Sequence, residues 1–311
     1  MKTQYKNIRL QPDSLSMITT CDSIIDEYMA AGLRLTLRQL YYQFVARDLF
    51  PEDRKWTEIN KKWVRDPNGT KNAEPNYKWL SSLLSDGRMA GLIDWSAIED
   101  RGRQPKTPNE FTNLPELIET AIRSYRLPRW EGQEYYAEIW VEKEALAGVI
   151  APTATEFHAT LMVNKGYSSQ TAMYESAHRF INSGRRPILF YIGDHDPSGE
   201  DMVRDIRERL TLFGVEDIEV QKLALNMDQV RHYNPPPNPA KINDPRATAY
   251  IREFGNSSWE VDALPPQVLN DLIREAFEGI IDSDLMDTIK RKEEADKRKL
   301  RSVTGEKKKK R

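Results

Sequence analysis

Two aspartates in the middle of the chain have a spacing that suits metal or phosphate chemistry. Asp194 and Asp196 stand one residue apart in the segment GDHDPSGED, directly after the apolar run 188–192. Three kinds of site place two aspartates after such a run. They are a calcium loop of the EF-hand type, a phosphatase site of the haloacid dehalogenase type, and a carboxylate cluster that holds magnesium for phosphodiester chemistry.

The surroundings of the two aspartates favour the magnesium cluster. An EF-hand loop usually ends in a bidentate glutamate, but Asp205 stands at that position, Pro197 lies inside the loop, and the preceding element has the pattern of a strand. A haloacid dehalogenase nucleophile usually opens its domain, whereas Asp194 lies late in this chain. A magnesium cluster requires a third acid on a neighbouring strand.

Glu142 supplies that third acid. It directly follows the run YYAEIWV at 135–141, which has the composition of a buried strand, and a helical pattern begins after it. Carboxyl ends of neighbouring parallel strands meet at one edge of a sheet, so Glu142 and Asp194 are expected to lie close together. Alone, Glu142 would be a solvated surface acid. Together with Asp194 and Asp196 it predicts a Mg²⁺ site.

The elements that must position these acids alternate along the chain. Four strand patterns, at 135–141, 160–163, 188–192 and 218–225, are separated by helical patterns. Strands alternating with single helices predict an α/β fold with a parallel sheet. Further helices are predicted at 14–31, from Thr36, and at 77–90, 114–125 and 267–281.

The order of the acidic motifs resembles a Toprim domain, the magnesium-binding fold of topoisomerases, bacterial primases and some nucleases. VEKEAL carries Glu142, and GDHDPSGED carries Asp194 and Asp196. In this form the motifs are similar to those of the A subunit of topoisomerase VI and of the meiotic double-strand-break transesterase. The resemblance implies a Rossmann-like Toprim domain preceded by a winged-helix domain that carries a nucleophilic tyrosine.

The segment TLRQLYY, early in the chain, offers a candidate for that tyrosine. Thr36 can cap a helix whose apolar face includes Tyr41, and Arg38 lies one turn from Tyr42. A phenol with a pKa near 10 is a poor nucleophile, and a neighbouring arginine would favour its phenolate and hold a phosphate. Without further context, such paired tyrosines are usually packing residues.

The resemblance assigns a role to the second tyrosine. The family's helix has the form (S/T)-L-R-(D/E)-(I/L)-Y-Y, from which Gln39 departs, and its nucleophile corresponds to Tyr42. Tyr42, with Arg38 beside it, is therefore implied to cleave DNA as in type IIB topoisomerases, leaving a 5′-phosphotyrosyl link. The implied magnesium ligands are Glu142, Asp194 and Asp196.

The resemblance also implies partners. The family acts on double-stranded DNA as a homodimer, in which the tyrosine of one subunit meets the metal site of the other. Strand passage in the family uses a separate GHKL-type ATPase subunit, and the present sequence has no P-loop of the form GxxxxGK(S/T).

Composition predicts a globular protein of two domains. The chain has 311 residues, of which 39% are hydrophobic and 30% charged. We expect a winged-helix DNA-binding domain at 1–105, a linker at 106–132, a Toprim domain at 133–287, and a basic, disordered tail at 288–311. One cysteine, Cys21, excludes an internal disulfide framework. A cytoplasmic, nucleoid-associated protein without membrane contact is the expectation.

Positive charge is concentrated in two segments although the whole chain has a net charge of −2. Residues 33–106 include fourteen basic and ten acidic side chains, and residues 288–311 include twelve basic and four acidic ones. DNA contacts are expected where positive charge accumulates. The candidate DNA-contacting residues are Arg34, Arg38, Arg88, Arg101, Arg103, Lys143 and Lys165.

Several local interpretations remain alternatives. Residues 50–75 are predicted to be a loop, with a short helix around 57–64, and residues 92–103 the wing of a winged helix. His195 is interpreted as a spacer, with contact to metal or phosphate as the alternative. Glu260 and Asp262 are interpreted as structural caps, with an approach to the metal site as the alternative. Two other functions fit the same residues: a Toprim endonuclease that hydrolyses DNA with water while Tyr42 only packs, and a non-catalytic DNA-binding protein.

Overall fold

The N-terminal third is mostly helical. The computed structural model describes residues 2–30, 32, 34–98, 108–164, 166, 168–242 and 244–303. The first elements are α1 (Pro12–Ala30), α2 (Leu37–Ala46), β1 (Trp56–Ile59), β2 (Lys62–Arg65) and α3 (Glu74–Met89). The apolar side chains of the three helices form one hydrophobic cluster, which also includes Ala263 from the C-terminal half of the chain. The two halves therefore share a packed contact.

Helix α2 begins where its sequence predicts. The Thr36 hydroxyl accepts a hydrogen bond from the backbone N–H of Gln39 at 3.3 Å, and the Gln39 side chain accepts one from the N–H of Thr36 at 2.9 Å. This reciprocal arrangement is a capping box, which uses Glu or Gln at the third helical position. The departure at Gln39 is therefore compatible with the same helix start.

The segment between α2 and α3 differs from the prediction. Instead of a loop with a helix at 57–64, β1 and β2 form an antiparallel hairpin, with Trp56 opposite Arg65. The turn residues Asn60 and Lys61 both have positive φ. Such a turn is usually marked in a sequence by Asn-Gly or Asp-Gly. Because this turn has Asn-Lys, the sequence pattern did not predict the hairpin.

The predicted wing at 92–103 is also not a strand pair in the part that the structure describes. A 3-10 helix, Trp95–Ala97, lies there, and Ile98 makes a parallel bridge with Leu35, just before α2. Residues 99–103 lie outside the described residues. The bridge fixes the end of this segment beside the start of α2.

A four-stranded parallel sheet forms the centre of the C-terminal two thirds. Its strands are β3 (Tyr135–Val141), β4 (Thr160–Val163), β5 (Arg186–Ile192) and β6 (Glu219–Ala224), in the order β4-β3-β5-β6. Strands β3 and β5 are neighbours, with Val141 opposite Ile192. The predicted α/β class with a parallel sheet is confirmed, and the two strands that precede the acids end at the same edge.

Helices cover both faces of this sheet. The elements of this region are α5 (Glu144–Glu156), α6 (Gln170–Ser183), α7 (Pro197–Leu212), α8 (Met227–Tyr233), β7 (Asn238–Pro239), α9 (Ala247–Phe254), β8 (Ser257–Ser258) and α10 (Pro266–Glu278). Ile139 and Phe190 pack on one face against residues of α5 and α10, and Trp140 and Leu189 on the other against α6 and α7. Because both faces are buried, polar groups gather at the strand ends.

The C-terminal segment corrects another prediction. Residues 288–303, predicted as disordered from their charge, belong to helix α11 (Ser283–Val303), which packs against α4 (Leu114–Ser124) in the predicted linker. Met286 and Glu293 are buried, so α11 has one face that packs against the protein. The net charge of the segment, on which the prediction of disorder rested, does not reveal such a face. Residues 304–311 lie outside the described residues. No helix in the described part of the chain is long and apolar enough to cross a membrane.

Candidate active site

The ends of β3 and β5 bring Glu142 and Asp194 together. The backbone N–H of Glu142 donates to the carbonyl of Ile192 at 2.9 Å, which extends the strand pairing by one step. One oxygen of the Glu142 carboxylate, Oε2, in turn accepts the backbone N–H of Asp194 at 3.0 Å and the Tyr191 hydroxyl at 3.4 Å. The Glu142 side chain therefore reaches across the edge of the sheet toward the acidic loop.

Asp196 is the N-cap residue of helix α7. Its Oδ1 accepts the backbone N–H of Gly199 at 2.7 Å and the Ser198 hydroxyl at 2.8 Å. A side chain at Gly199 would bring a Cβ to 2.1 Å from the carbonyl oxygen of Asp194, so glycine is required there. The cap fixes the Asp196 carboxylate and leaves its other oxygen directed elsewhere.

That second oxygen of Asp196 lies 3.2 Å from the ammonium of Lys241. Burial lowers the pKa of Lys241, but the charges of Asp196, Asp194 and Glu142 outweigh burial and raise it. All three candidate metal acids therefore act on one cation, whose own side chain is largely exposed. The position suits a cation, and the donor set of carboxylate oxygens is one that Mg²⁺ prefers.

The pKa of Asp194 reflects its burial and the acids around it. Burial raises the pKa of Asp194; the Lys143 ammonium lowers it, Glu142 and Asp262 raise it further, and the net shift is upward. Among the described residues, no three His, Cys, Asp or Glu side chains form a ready-made metal cluster. Glu142, Asp194 and Asp196 fit a divalent cation by chemistry and charge, with Lys241 as the side chain that it would replace.

Tyr42 lies beside this edge in the same chain. Its side chain is 4% exposed, and its hydroxyl donates to Glu260 Oε2 at 2.5 Å. Arg38, one turn earlier on α2, lies 3.5 Å from the Tyr42 hydroxyl and 2.5 Å from the same Glu260 oxygen. A cavity of about 230 Å³ is lined by both Tyr42 and Asp194. Within one chain, Tyr42 and Asp194 therefore border the same space.

The surroundings of Tyr42 do not favour the phenolate. Burial raises the pKa of Tyr42, and the carboxylates of Asp262 and Glu260 raise it further. The Arg38 guanidinium lowers it, as the sequence argument expected, but its effect is outweighed. In this state the phenol keeps its proton, so activation of Tyr42 requires a change in the charges around it.

Glu260 and Asp262, for which the sequence interpretation preferred a structural role over a role in the site, lie beside Tyr42, Arg38 and Lys143. They follow β8, and Trp259 is fixed beside the acidic loop by two backbone hydrogen bonds to His195, both of 2.9 Å. The N–H of Val261 donates to Asp194 Oδ1 at 2.8 Å. No spacing rule links these positions to Asp194, because the short β7–β8 pair and a bridge far apart in sequence bring them there.

Lys143, next to Glu142, faces inward. Its ammonium lies 2.8 Å from Asp194 Oδ1, 2.9 Å from Asp262 Oδ1 and 3.0 Å from Glu260 Oε2. Burial lowers its pKa, but the neighbouring carboxylates outweigh burial and raise it, so Lys143 stays charged. Lys143, which the sequence predicts to contact DNA, is thus enclosed in this structure by three acids of its own chain.

The other candidate DNA contacts are scattered. Arg34 is exposed just before α2. The guanidinium of Arg88 donates to the carbonyls of Trp95 and Ile98, at 2.5 and 3.0 Å, and thus holds the 3-10 helix of the N-terminal region. The remaining candidates lie outside the described residues: Arg101, Arg103 and Lys165.

His195, between the two aspartates, points away from them. It is 1% exposed and packs edge-on against Phe254 and Trp259. Its Nδ1 lies 2.8 Å from the Tyr250 hydroxyl. Successive side chains of the loop point in alternate directions. The two aspartates therefore lie at the sheet edge, and the histidine packs in an aromatic pocket.

No protein-family model, curated protein or solved structure matches the chain. What the residues offer chemically is a cavity lined by a phenol, an ammonium and carboxylates, with Arg38 and Lys143 paired to two of those carboxylates. Cations beside a hydroxyl can hold a phosphate for attack, and carboxylates at a sheet edge can hold a divalent cation. Phosphodiester chemistry uses this combination.

Proposed function

We propose that this chain is a magnesium-dependent, DNA-cleaving transesterase built from a winged-helix domain and a Toprim domain, similar to the A subunit of type IIB topoisomerases. The observation that carries the proposal is that the Tyr42 hydroxyl and the carboxylates of Asp194 and Asp196 line the same cavity. These residues are far apart in sequence, and they belong to the segments TLRQLYY and GDHDPSGED.

In the proposed reaction Tyr42 attacks a DNA phosphodiester. Its hydroxyl loses a proton, the phenol oxygen forms a bond to phosphorus, and the bond from phosphorus to the 3′ oxygen breaks. The products are a 3′-hydroxyl and a 5′-phosphotyrosyl link, so the step needs no oxidant or reductant. Arg38, 3.5 Å from the hydroxyl, would hold the phosphate that is attacked.

Glu142, Asp194 and Asp196 would hold Mg²⁺ at the sheet edge. The bound ion supplies positive charge that stabilises the negative charge developing on the phosphate oxygens. Asp196 has one oxygen committed to its helix cap, so its second oxygen, now beside Lys241, is the one available to a cation. Double-stranded DNA is the proposed substrate, and a homodimer with a separate GHKL-type ATPase is the proposed assembly.

One observation favours a second candidate, a Toprim endonuclease that hydrolyses DNA with water. The pKa of Tyr42 is raised by burial and by Asp262 and Glu260, which disfavours the phenolate needed for attack. Under this alternative Tyr42 would only be a packing residue of the N-terminal hydrophobic cluster, and water would be the nucleophile.

Covalent trapping separates the two. Wild type incubated with 3′-end-labelled duplex DNA and Mg²⁺, then denatured, should retain label on the protein, whereas Tyr42→Phe should retain none. Tyr41→Phe is the matched control, because the Tyr41 hydroxyl bonds Asn72 and the carbonyl of Ala73 and not the candidate site. We expect Tyr41→Phe to keep trapping and to lose about 1 kcal/mol of stability.

Each alternative gives a different pattern in this assay. Cleavage that persists in Tyr42→Phe without trapped label would contradict transesterification and favour hydrolysis. Asp194→Ala should abolish cutting by either enzyme. DNA binding without any cleavage by wild type, unaffected by Mg²⁺, would identify a non-catalytic DNA-binding protein.

A further inference from the structure

One carboxylate oxygen at the candidate site collects three donors. Glu260 Oε2 lies 2.5 Å from the Tyr42 hydroxyl, 2.5 Å from a guanidinium nitrogen of Arg38 and 3.0 Å from the ammonium of Lys143. The donors come from α2 and from the start of α5, and Glu260 comes from the segment after β8. A single oxygen atom thus joins the candidate nucleophile to two cations.

The two cations are fully engaged by acids of the chain itself. Asp262 lies 2.9 Å from Lys143 through Oδ1 and 3.3 Å from Arg38 through Oδ2. Its Oδ2 is buried and has no hydrogen-bond partner, so Asp262 acts there only by its charge. Arg38 and Lys143 therefore face a local excess of negative charge where a DNA phosphate would have to bind.

The arrangement of donors matches what a phosphate oxygen requires. Arginine and lysine bind phosphate oxygens by charge-assisted hydrogen bonds of 2.7–2.9 Å. A phosphate positioned for attack must also lie next to the nucleophilic hydroxyl. The oxygen of Glu260 satisfies both conditions at once, because it contacts Tyr42, Arg38 and Lys143 together.

Glu260 is poorly suited to other tasks at this position. As a proton acceptor for Tyr42 it is weak: burial raises its pKa, but Lys143 and Arg38 outweigh burial and lower it. As a structural anchor it is less enclosed than Asp262, whose side chain is fully buried, while that of Glu260 is 24% exposed at the cavity wall. The Glu260 side chain can therefore move away from Tyr42, Arg38 and Lys143 without disrupting buried packing. The buried Asp262 side chain cannot.

We propose, on the basis of the proposed function, that the Glu260 carboxylate occupies the place of a non-bridging oxygen of the scissile phosphate, so that the free chain is closed by an internal phosphate mimic. DNA must displace this carboxylate before its phosphate reaches Arg38, Lys143 and Tyr42. The same displacement removes one of the carboxylates that keep Tyr42 protonated. Binding of the correct substrate and readiness of the nucleophile are thereby linked.

The test measures binding of a duplex oligonucleotide by fluorescence anisotropy in the presence of a chelator, so that no cleavage occurs. In Glu260→Gln the side chain loses its charge and competes poorly for the two cations. If the closed form dominates about ten to one, the Kd should fall by about tenfold. Glu253→Gln, an exposed glutamate of α9, is the matched control for the lost charge and should stay within about twofold of wild type.

A second variant protects the test against misfolding. Glu260→Asp keeps the charge but shortens the side chain by one methylene, which loosens its contact with the Tyr42 hydroxyl, and it should tighten binding less than Glu260→Gln. Thermal unfolding of each variant confirms that the chain is folded. An unchanged or weaker affinity for DNA in folded Glu260→Gln overturns the inference and assigns Glu260 to positioning.

The outcomes also separate this inference from the proposed function. Trapped label in wild type with no gain of affinity in Glu260→Gln overturns the inference alone. If Glu260→Gln binds the oligonucleotide more tightly but no variant retains trapped label, the inference about Glu260 stands and transesterification is overturned. Failure of both wild type and Glu260→Gln to bind the oligonucleotide overturns both.

Discussion

Strand β3 contains one glutamate, Glu138, and is directly followed by another, Glu142. Their surroundings show how an acid that holds the fold together differs from an acid that can do chemistry. Glu138, inside the strand, has no exposed surface, and Arg179 donates to both of its oxygens at 2.7 and 2.9 Å. Trp140 and Tyr136 donate to it as well, at 2.9 and 3.1 Å. Glu142, one residue beyond the strand, receives its two hydrogen bonds on one oxygen, from Tyr191 and a backbone N–H.

The difference lies in how the negative charge is balanced. Glu138 has a bidentate arginine and two neutral donors of its own, so nothing in its surroundings calls for a further cation. Glu142 shares its surroundings with Asp194 and Asp196, and all three raise the pKa of Lys241 against the opposing effect of burial. A buried carboxylate with filled acceptor sites holds a fold together, whereas crowded carboxylates at a strand end can hold an added ion.

Arg179→Met is the largest predicted disturbance of the structural member of this pair. It leaves the Glu138 carboxylate buried without its countercharge, so we expect a loss of about 3 kcal/mol in the free energy of unfolding, measured with urea. Combining it with Glu138→Gln should recover part of this loss. The matched control is Arg186→Met, which breaks the exposed pair with Glu134 and should cost less than about 1 kcal/mol. Equal losses of unfolding free energy in Arg179→Met and Arg186→Met would contradict the structural role of the Glu138–Arg179 pair.

A smaller effect should appear at acid pH from another enclosed carboxylate, Glu293 of α11. Burial raises its pKa, but Lys297, the N–H of Leu127 and Arg129 outweigh burial and lower it to about 2. A carboxyl whose pKa is lowered in the folded state stabilises the fold above its unfolded pKa of about 4.5 and loses that contribution as pH falls toward 2.

The corresponding measurement compares wild type with Glu293→Gln in urea at several pH values. The difference in unfolding free energy between them should be largest near pH 7 and should shrink below pH 4.5, because only wild type has the titrating group. Curves that remain parallel down to pH 3 would show that Glu293 does not contribute through its charge.

Much of the sheet region could be predicted from sequence because its signals are local. Strand β3 has the predicted bounds, 135–141, and so does β4, since each is a short apolar run closed by polar residues. The start of α2 was also predictable, because Thr36 caps it through its own neighbours. Local composition decides where such elements begin and end.

What the sequence did not reveal depends on contacts between distant segments. Glu260 reaches Tyr42 over a separation of 218 residues, and no periodicity encodes that meeting. The inner face of α11 depends on partners such as Arg129, which belongs to the segment after α4. The β1–β2 hairpin lacks a turn signature in its sequence. Each of these features is fixed by tertiary packing, which overrides local preference.

The most direct test of the central claim, that the edge of the sheet binds Mg²⁺, is thermal unfolding with and without this ion. At a Mg²⁺ concentration about tenfold above its dissociation constant, wild type should gain about 1.4 kcal/mol, or roughly 3 °C in its unfolding midpoint. Arg179→Met, although less stable, should show the same rise, and Glu142→Gln and Asp194→Asn should show none. The account would be contradicted if Mg²⁺ left the unfolding midpoint of wild type unchanged, or if it raised the midpoint of Asp194→Asn by the same amount.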